Sequence, residues 1–295
     1  MSFKPKTKEE LRNAIEEYCE NDDRSNGNIN DWDVSLITNM SNLFFCCYNY
    51  DECDKKIHYF NHPINNWNVS NVTNMSSVFY GCIEFNQPIN NWNVSKVTNM
   101  SSMFHHCTKF NQPLNNWNVS NVTNMNCIFC HCCDFNQSLN DWNVSKVTNM
   151  RSMFYDCEKF NQPINNWDVF EVKNMSCMFY LCLVFNQPIN NWNVSNVTDM
   201  NSMFSNCCKF NEKYKEQFYM TNINKKNKYA LYELQKYISI VKIYYMTEDK
   251  EFIMNNINNN QKKEIQKFIK NTTKDICESC YLQTNCVNNI CGLCS

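Results

Sequence analysis

The sequence predicts an α/β repeat protein, a solenoid of seven 25-residue coils in which each coil contains a short strand and a short helix. Two observations predict this fold class. Tryptophan recurs at a constant interval, and the apolar residues between successive tryptophans repeat in the same order. The tryptophans that define the coils are Trp32, Trp67, Trp92, Trp117, Trp142, Trp167 and Trp192.

Residues 1–24 predict a helix that caps the first coil. Thr7 and Glu10 have the spacing of a capping box, which satisfies backbone N–H groups at the start of a helix. Apolar residues follow on one helical face, at Leu11, Ala14, Ile15 and Tyr18. Such a helix would cover the apolar side that a terminal coil cannot bury by itself.

The coils themselves span residues 25–211. Trp32 and Trp67 are 35 residues apart, so the first coil is expected to carry an inserted loop at about residues 48–59. In each coil the apolar residues after the tryptophan have the three- and four-residue spacing of a helix face. In one coil they are Val97, Met100, Met103, Phe104 and Cys107.

The segment before each tryptophan is predicted to be extended, as in Phe85–Ile89. Pro88 and its equivalents lack the N–H that a central strand must donate, so they mark a strand edge or a corner. Equivalent asparagines such as Asn86 and Asn111 are expected to form side-chain ladders between coils. With only three glycines in the chain, turns that need a positive φ are expected to use asparagine.

The C-terminal part divides into a helical region and a cysteine-rich tail. Residues 212–275 predict two helices that form either a second cap or a separate arm. The tail, residues 276–295, contains two CxxC pairs that are spaced to bind one zinc ion. The alternative is a disordered or disulfide-bonded tail, which the additional Cys286 would fit. The candidate ligands are Cys277, Cys280, Cys291 and Cys294.

Composition restricts the partners and the compartment. A formal net charge of −2 lacks the basic excess of a nucleic-acid-binding protein, so no nucleic-acid partner is expected. No apolar stretch has the length of a membrane-spanning helix, and Met1–Asp22 lacks the apolar region of a secretory signal. Cysteine recurs at one position in every repeat of a chain that has 20 cysteines, which favours buried thiols over disulfides. The expected location is therefore the cytoplasm.

Several columns of the repeat vary while the core columns stay constant. They include two neighbouring columns, thirteen and fourteen residues after each tryptophan, and the column of Glu84, Lys109, Asp134, Lys159, Val184 and Lys209. Within the two neighbouring columns, His106, His131 and Asp156 would lie about 5 Å apart in stacked coils, which suggests a metal site. The alternative is a variable exposed surface that happens to contain histidines. The candidate binding surface consists of Tyr80, His105, His106, Cys130, His131, Tyr155 and Tyr180.

The repeat FNHPINNWNVSNVTNMSSVFYGC, residues 60–82, resembles the 25-residue repeats of the BspA-like leucine-rich-repeat surface proteins, which are best known from mycoplasma and other bacteria. The opening FKPKTKEELRNAIEEYCEN followed by INDWDVSLITNMSNLF is similar to the start of that domain. The resemblance covers about Phe3 to Asn211. It implies a leucine-rich-repeat-like solenoid, a role in adhesion or protein binding, and a location at a cell or particle surface. It implies no catalytic residues.

The sequence thus predicts a non-enzymatic scaffold for protein binding or adhesion. It contains no Ser-His-Asp order, Walker loop or dinucleotide-binding glycine motif. Two alternatives stay open. One is an intracellular adaptor whose tail binds zinc and recruits a second partner, and the other is a structural protein that associates with itself.

Overall fold

The structure is a computed structural model that describes residues 3–46, 55–211, 213–215 and 218. These residues belong to the unit Met1–Asn227, and a second unit comprises Lys228–Ser295. Most of the predicted C-terminal helical region, 212–275, lies outside the described residues. The cysteine-rich tail, 276–295, and residues 47–54 of the predicted insertion lie outside them entirely.

Helix α1 spans Lys8–Glu20 and is the predicted N-terminal helix. The Thr7 hydroxyl caps it by accepting from the Glu10 N–H at 3.1 Å. The Glu10 carboxylate accepts from the N–H of Lys6 at 2.7 Å, so only the threonine half of the capping box forms. The Arg12 guanidinium donates to backbone carbonyls of the first repeat, including that of Phe45 at 3.0 Å. The helix buries the predicted face, Leu11, Ala14, Ile15 and Tyr18.

Successive repeats pair through equivalent residues. Six parallel bridges join the asparagine seven residues after each tryptophan, or the aspartate in the last repeat, to its counterpart in the next repeat. Alternate N–H groups around each bridge also donate across the junction, from Met100 to Asn124 at 3.0 Å and from Phe104 to Ile128 at 2.9 Å. The bridges are Asn39–Asn74, Asn74–Asn99, Asn99–Asn124, Asn124–Asn149, Asn149–Asn174 and Asn174–Asp199.

The described repeats contain turns and single bridges where the sequence predicts a short strand and a short helix. In one repeat the N–H of Met103 donates to the carbonyl of Met100, three residues back, at 3.2 Å. Ser102 and His106 have φ values of 55° and 59°. A left-handed residue interrupts a right-handed helix. Consecutive turns, rather than a helix, therefore place the apolar side chains at this spacing. Alternate N–H groups donate to carbonyls of the next repeat. Apart from α1, the described elements are 3-10 helices at Ile29–Asp31 and Lys56–Tyr59, and residues 213–215 and 218 are also helical.

Asparagine takes a positive φ at Asn42 and Asn206, but most of the positive φ values fall on other residue types. In the column ten residues after each tryptophan, serine or cysteine takes this conformation in every repeat except the first, which has Asn42. In the column fourteen residues after tryptophan it is taken by Gly81, His106, His131, Asp156, Leu181 and Asn206. The left-handed conformation costs a non-glycine residue about 1–2 kcal/mol. Bonds and packing between repeats must offset this cost.

The core consists of aromatic columns that continue from one repeat to the next. The rings of Phe104 and Phe129 are parallel, with centroids 5.7 Å apart, and both side chains are fully buried. Phe110 packs on Phe104 at 4.2 Å within the same layer. Each tryptophan after Trp32 is anchored by its indole N–H, which donates to a carbonyl of the preceding repeat, as from Trp117 to Ile89 at 3.0 Å. The aromatic residues thus supply both the buried area and the register between repeats.

The cysteine column fifteen residues after tryptophan is a column of buried thiols. Cys107 donates to the carbonyl of Phe79 at 3.0 Å, and Cys132 donates to that of Phe104 at 2.9 Å. Burial raises the pKa of both thiols well above the ordinary value, so they keep their protons. The free members of the column are Cys82, Cys107, Cys132, Cys157, Cys182 and Cys207, whereas Cys46 and Cys208, outside it, are disulfide-bonded.

The asparagine column forms a ladder that includes the backbone. The side-chain oxygen of Asn111 accepts from the backbone N–H of Asn136 at 2.9 Å and from the side-chain amide of Gln137 at 2.9 Å. The same pair of bonds links Asn136 to Asn161 and Gln162. Each asparagine of this column from Asn61 to Asn161 therefore satisfies two donors of the next repeat, and among the described residues Asn186 satisfies one.

Candidate binding surface

The predicted surface residues form two adjacent columns. The first, which we name the aromatic strip, consists of the residues thirteen after each tryptophan in five consecutive repeats. Each strip residue directly follows the buried phenylalanine, and the tyrosines and His105 are half-buried. Cys130 is 5% exposed and interrupts the run of rings. The strip consists of Tyr80, His105, Cys130, Tyr155 and Tyr180.

The rings of the strip stack on one another. Tyr80 and His105 have centroids 4.5 Å apart and an interplanar angle of 9°, and Tyr155 and Tyr180 have values of 4.8 Å and 9°. Because stacked neighbours cover the ring faces, the strip presents ring edges and tyrosine hydroxyls outward. Stacking also restricts the side-chain rotamers before any partner arrives, which lowers the entropic cost of binding.

The second column lies beside the strip and contains His106, His131 and Asp156. His106 stacks on His131 with centroids 4.1 Å apart. His131 Nδ1 lies 2.8 Å from a carboxylate oxygen of Asp156. Ring contacts of 4.8 Å from His105 to His106 and 5.1 Å from His131 to Tyr155 join the two columns. The structure therefore brings all seven sequence-predicted surface residues into one cluster.

The histidine geometry does not suit the metal site that the sequence suggested. No group of three or more His, Cys, Asp or Glu side chains in the described ranges is arranged to hold a metal ion. The His106 and His131 rings are tilted by only 25°, and imidazole lone pairs lie in the ring plane. Stacked rings thus direct their nitrogens side by side rather than toward a common point. The tail cysteines Cys277, Cys280, Cys291 and Cys294 lie outside the described residues.

Burial keeps the side chains of His105 and His106 neutral. Burial, together with the nearby His131, lowers the pKa of His105 to about 4. Burial, with His131 and His105 as further causes, lowers the pKa of His106 to about 3, although Asp156 acts in the opposite direction. The surface therefore offers uncharged rings and one histidine–aspartate pair at neutral pH.

This arrangement predicts acid sensitivity. From about pH 6.5 down to about pH 4 the unfolded chain binds protons at His105 and His106 that the folded chain excludes, so the free energy of unfolding falls with pH. We expect these two residues to account for about 2 kcal/mol of that fall, allowing for partial exposure of the rings. Urea unfolding at a series of pH values measures it.

The chain supplies a matched control for the acid sensitivity. Tyrosine occupies the column of His105 in three other repeats, and Asn206 occupies the column of His106 with the same positive φ. The double variant His105→Tyr, His106→Asn should therefore fold and lose about 2 kcal/mol of the pH dependence. Carboxylates titrate in both proteins, so their contribution cancels in the difference. Superimposable pH profiles would contradict the assignment.

Comparison with known proteins identifies the family. The sequence model of the family described as "Mycoplasma protein of unknown function, DUF285" matches residues 13–129, 48–156 and 136–239. Together these matches extend from residue 13 to residue 239, which is well over half of the 295 residues. The chain belongs to the DUF285 family. No curated protein and no solved structure matches it.

Within this DUF285 protein, sequence reasoning missed the pairing of Cys127 with Cys130. The Cys130 N–H donates to the carbonyl of Cys127 at 3.1 Å, which closes a turn. The Cys127 thiol donates to the side-chain oxygen of Asn126 at 3.5 Å, and its interaction with the Cys130 side chain lowers its pKa. The sequence did contain a signal for this contact. Among the described repeats, only this one has cysteine both ten and thirteen residues after its tryptophan.

The sequence analysis also did not identify a cavity of about 380 Å³ beside α1. Arg24, which lines this cavity, already interacts with two neighbouring side chains. The guanidinium of Arg24 lies 3.6 Å from the ring centroid of Tyr18 and forms an ion pair with Asp22. Lys56, Tyr59 and His62 complete part of the lining. We assign no ligand to this cavity.

In the part of the DUF285 protein that the structure describes, no helix has the length and apolar character to cross a membrane.

Proposed function

We propose that this DUF285 protein is a non-enzymatic scaffold that binds another protein through the aromatic strip and the adjacent histidine column. One observation carries the proposal. Six half-buried rings of these two variable columns, from Tyr80 to Tyr180, contact one another in an unbroken series. Tyrosine contributes strongly to protein interfaces because a rigid ring supplies a large contact area at low conformational cost.

We further propose that the repeats build a leucine-rich-repeat-like solenoid related to the BspA-like surface proteins, with an adhesion role. The regular junctions support the solenoid, since each repeat pairs with the next through equivalent residues. In solenoid proteins, columns of equivalent residues form extended recognition surfaces. The repeat motif shared with BspA-like proteins supports the adhesion role.

The test is photo-crosslinking from the strip. A photoreactive phenylalanine analogue at position 80 or 180 of the full-length chain should label a defined partner from cells of the native host. The variant Tyr80→Ser, Tyr155→Ser, Tyr180→Ser should reduce partner retention about tenfold or more, because it removes three interface tyrosines. Serine is compatible with this column, since Ser205 occupies it in the last repeat.

The control variant changes an exposed column elsewhere in the same repeats. Lys96→Asn with Lys146→Asn introduces the residue that Asn71 and Asn121 already provide in that column. Retention of the partner by this control and its loss by the tyrosine variant would support the strip as the interface. Equal retention by both variants would refute the proposal.

A further inference from the structure

Cys127 and Cys130 are positioned to form a disulfide. The bond from the Cys130 N–H to the Cys127 carbonyl, 3.1 Å long, closes a four-residue turn. Such a turn keeps its end Cα atoms within about 7 Å, and disulfides span Cα separations of about 4.4–6.8 Å. The two side chains also interact, which lowers the pKa of Cys127 and raises that of Cys130. The backbone turn therefore brings the two cysteines within the range that a disulfide spans.

The surroundings of Cys127 favour its thiolate. The Cys130 thiol donates to it, Arg151 of the next repeat contributes positive charge, and the Ser152 side chain donates a further hydrogen bond. These groups together lower the pKa of Cys127, despite the opposing effect of burial. Cys127 is partly exposed, whereas Cys130 is 5% exposed. The pair thus combines an accessible sulfur with a shielded one.

The neighbouring thiols lack this combination. Cys132 is fully buried and donates to a backbone carbonyl at 2.9 Å, so it has no access to a reagent. Cys133 is partly exposed, and burial together with Asp156 raises its pKa to about 11. Cys177 occupies the same column as Cys127, but burial raises its pKa and Tyr180 stands where a second thiol would be.

We infer that Cys127 and Cys130 form a thiol–disulfide exchange site whose substrates are small-molecule or protein disulfides. The Cys127 thiolate attacks one sulfur of the external disulfide RSSR, which forms a mixed disulfide and releases RS⁻. RS⁻ takes the proton of Cys130, and the Cys130 sulfur then attacks the Cys127 sulfur and releases the second RS⁻. This second RS⁻ takes from solvent the proton that Cys127 released when its thiolate formed. Two protein thiols are oxidised to one disulfide, and RSSR is reduced to two RSH. This inference does not depend on the proposed partner binding.

The experiment equilibrates the full-length chain with glutathione buffers that range from fully reduced to fully oxidised. After acid quenching, peptide mass mapping detects an internal bond as the loss of two hydrogens from the peptide that contains Cys127 and Cys130. We expect this bond to form as the disulfide fraction rises and to disappear on return to reduced glutathione. In parallel, iodoacetamide at neutral pH should label Cys127 about ten times faster than Cys177, or more.

Matched variants separate this chemistry from an effect on folding. Cys127→Ser and Cys177→Ser both introduce the residue found in that column at positions 77, 102, 152 and 202. Only Cys127→Ser should abolish the bond, and circular dichroism should show both variants folded. Three outcomes would each overturn the inference: Cys127 and Cys130 stay reduced in oxidised glutathione, Cys127 retains glutathione without closing the internal bond, or Cys127 is labelled no faster than Cys177.

Discussion

Replacing Phe129 by alanine is expected to lower the free energy of unfolding by about 3–5 kcal/mol. Phe129 is fully buried and contacts rings in three directions. Its centroid lies 5.7 Å from Phe104, 5.8 Å from Phe154 and 4.1 Å from Phe135. Alanine would leave a cavity between two repeats whose backbones are fixed by hydrogen bonds on both sides, so the site has little freedom to collapse. Urea unfolding followed by far-ultraviolet circular dichroism measures the loss.

A second phenylalanine provides the matched control. Phe170 is 43% exposed and stands in a column where the other repeats have serine. The change Phe170→Ser should alter the free energy of unfolding by no more than about 0.5 kcal/mol. If Phe129→Ala and Phe170→Ser had similar small effects, the aromatic columns would not be the source of stability between repeats.

Replacing Asn136 by alanine should cost about 2–4 kcal/mol, because two donors of the next repeat lose their acceptor. The Asn136 side-chain oxygen accepts from the Asn161 N–H at 2.9 Å and from the Gln162 side-chain amide at 3.0 Å. These groups are part-buried, so water replaces the lost bonds only in part. Thermal and urea unfolding of the variant measure the cost.

Aspartate at the same position distinguishes lost acceptors from lost volume. Asn136→Asp keeps an oxygen in place of the amide oxygen, and an ionised acceptor bonds N–H groups strongly. We expect it to retain most of the stability at neutral pH and to lose more of it in acid. An equally large loss in Asn136→Asp and Asn136→Ala at neutral pH would mean that the ladder bonds contribute little.

The repeat and its register could be predicted because the side chains that set them are large, apolar and periodic. Trp92, Phe104 and Cys107 each recur at a fixed interval, and the bridges join residues with the same spacing. The local backbone could not be predicted in the same way. Spacing of three and four residues fits both a helix and consecutive turns, and the choice depends on where the N–H groups find acceptors. Here alternate N–H groups donate to carbonyls of the next repeat, and the spacing of the apolar residues does not show this.

The candidate surface was predictable as a set of positions, and its chemistry was not. Variation between repeats marks His106 and His131 as free of core packing, but only the ring orientations show that they stack. In the same way, Cys130 belongs to a variable column, while only the structure shows that its N–H donates to the carbonyl of Cys127. The leucine-rich-repeat-like class and the zinc tail stay predictions.

The junctions between repeats have a consequence for how this gene can change. Each junction uses the same ring contacts, the same indole-to-carbonyl bond and the same asparagine acceptor. Loss or duplication of 25 residues between equivalent positions recreates a junction that the protein already contains. A change of another length inside the paired segment, such as between Asn99 and Cys107, would set phenylalanines against polar columns. The extra residues between Trp32 and Trp67 leave the bridge from Asn39 to Asn74 in register. Unequal recombination can therefore lengthen or shorten the protein in whole repeats, because the new junction needs no packing contacts that the protein lacks.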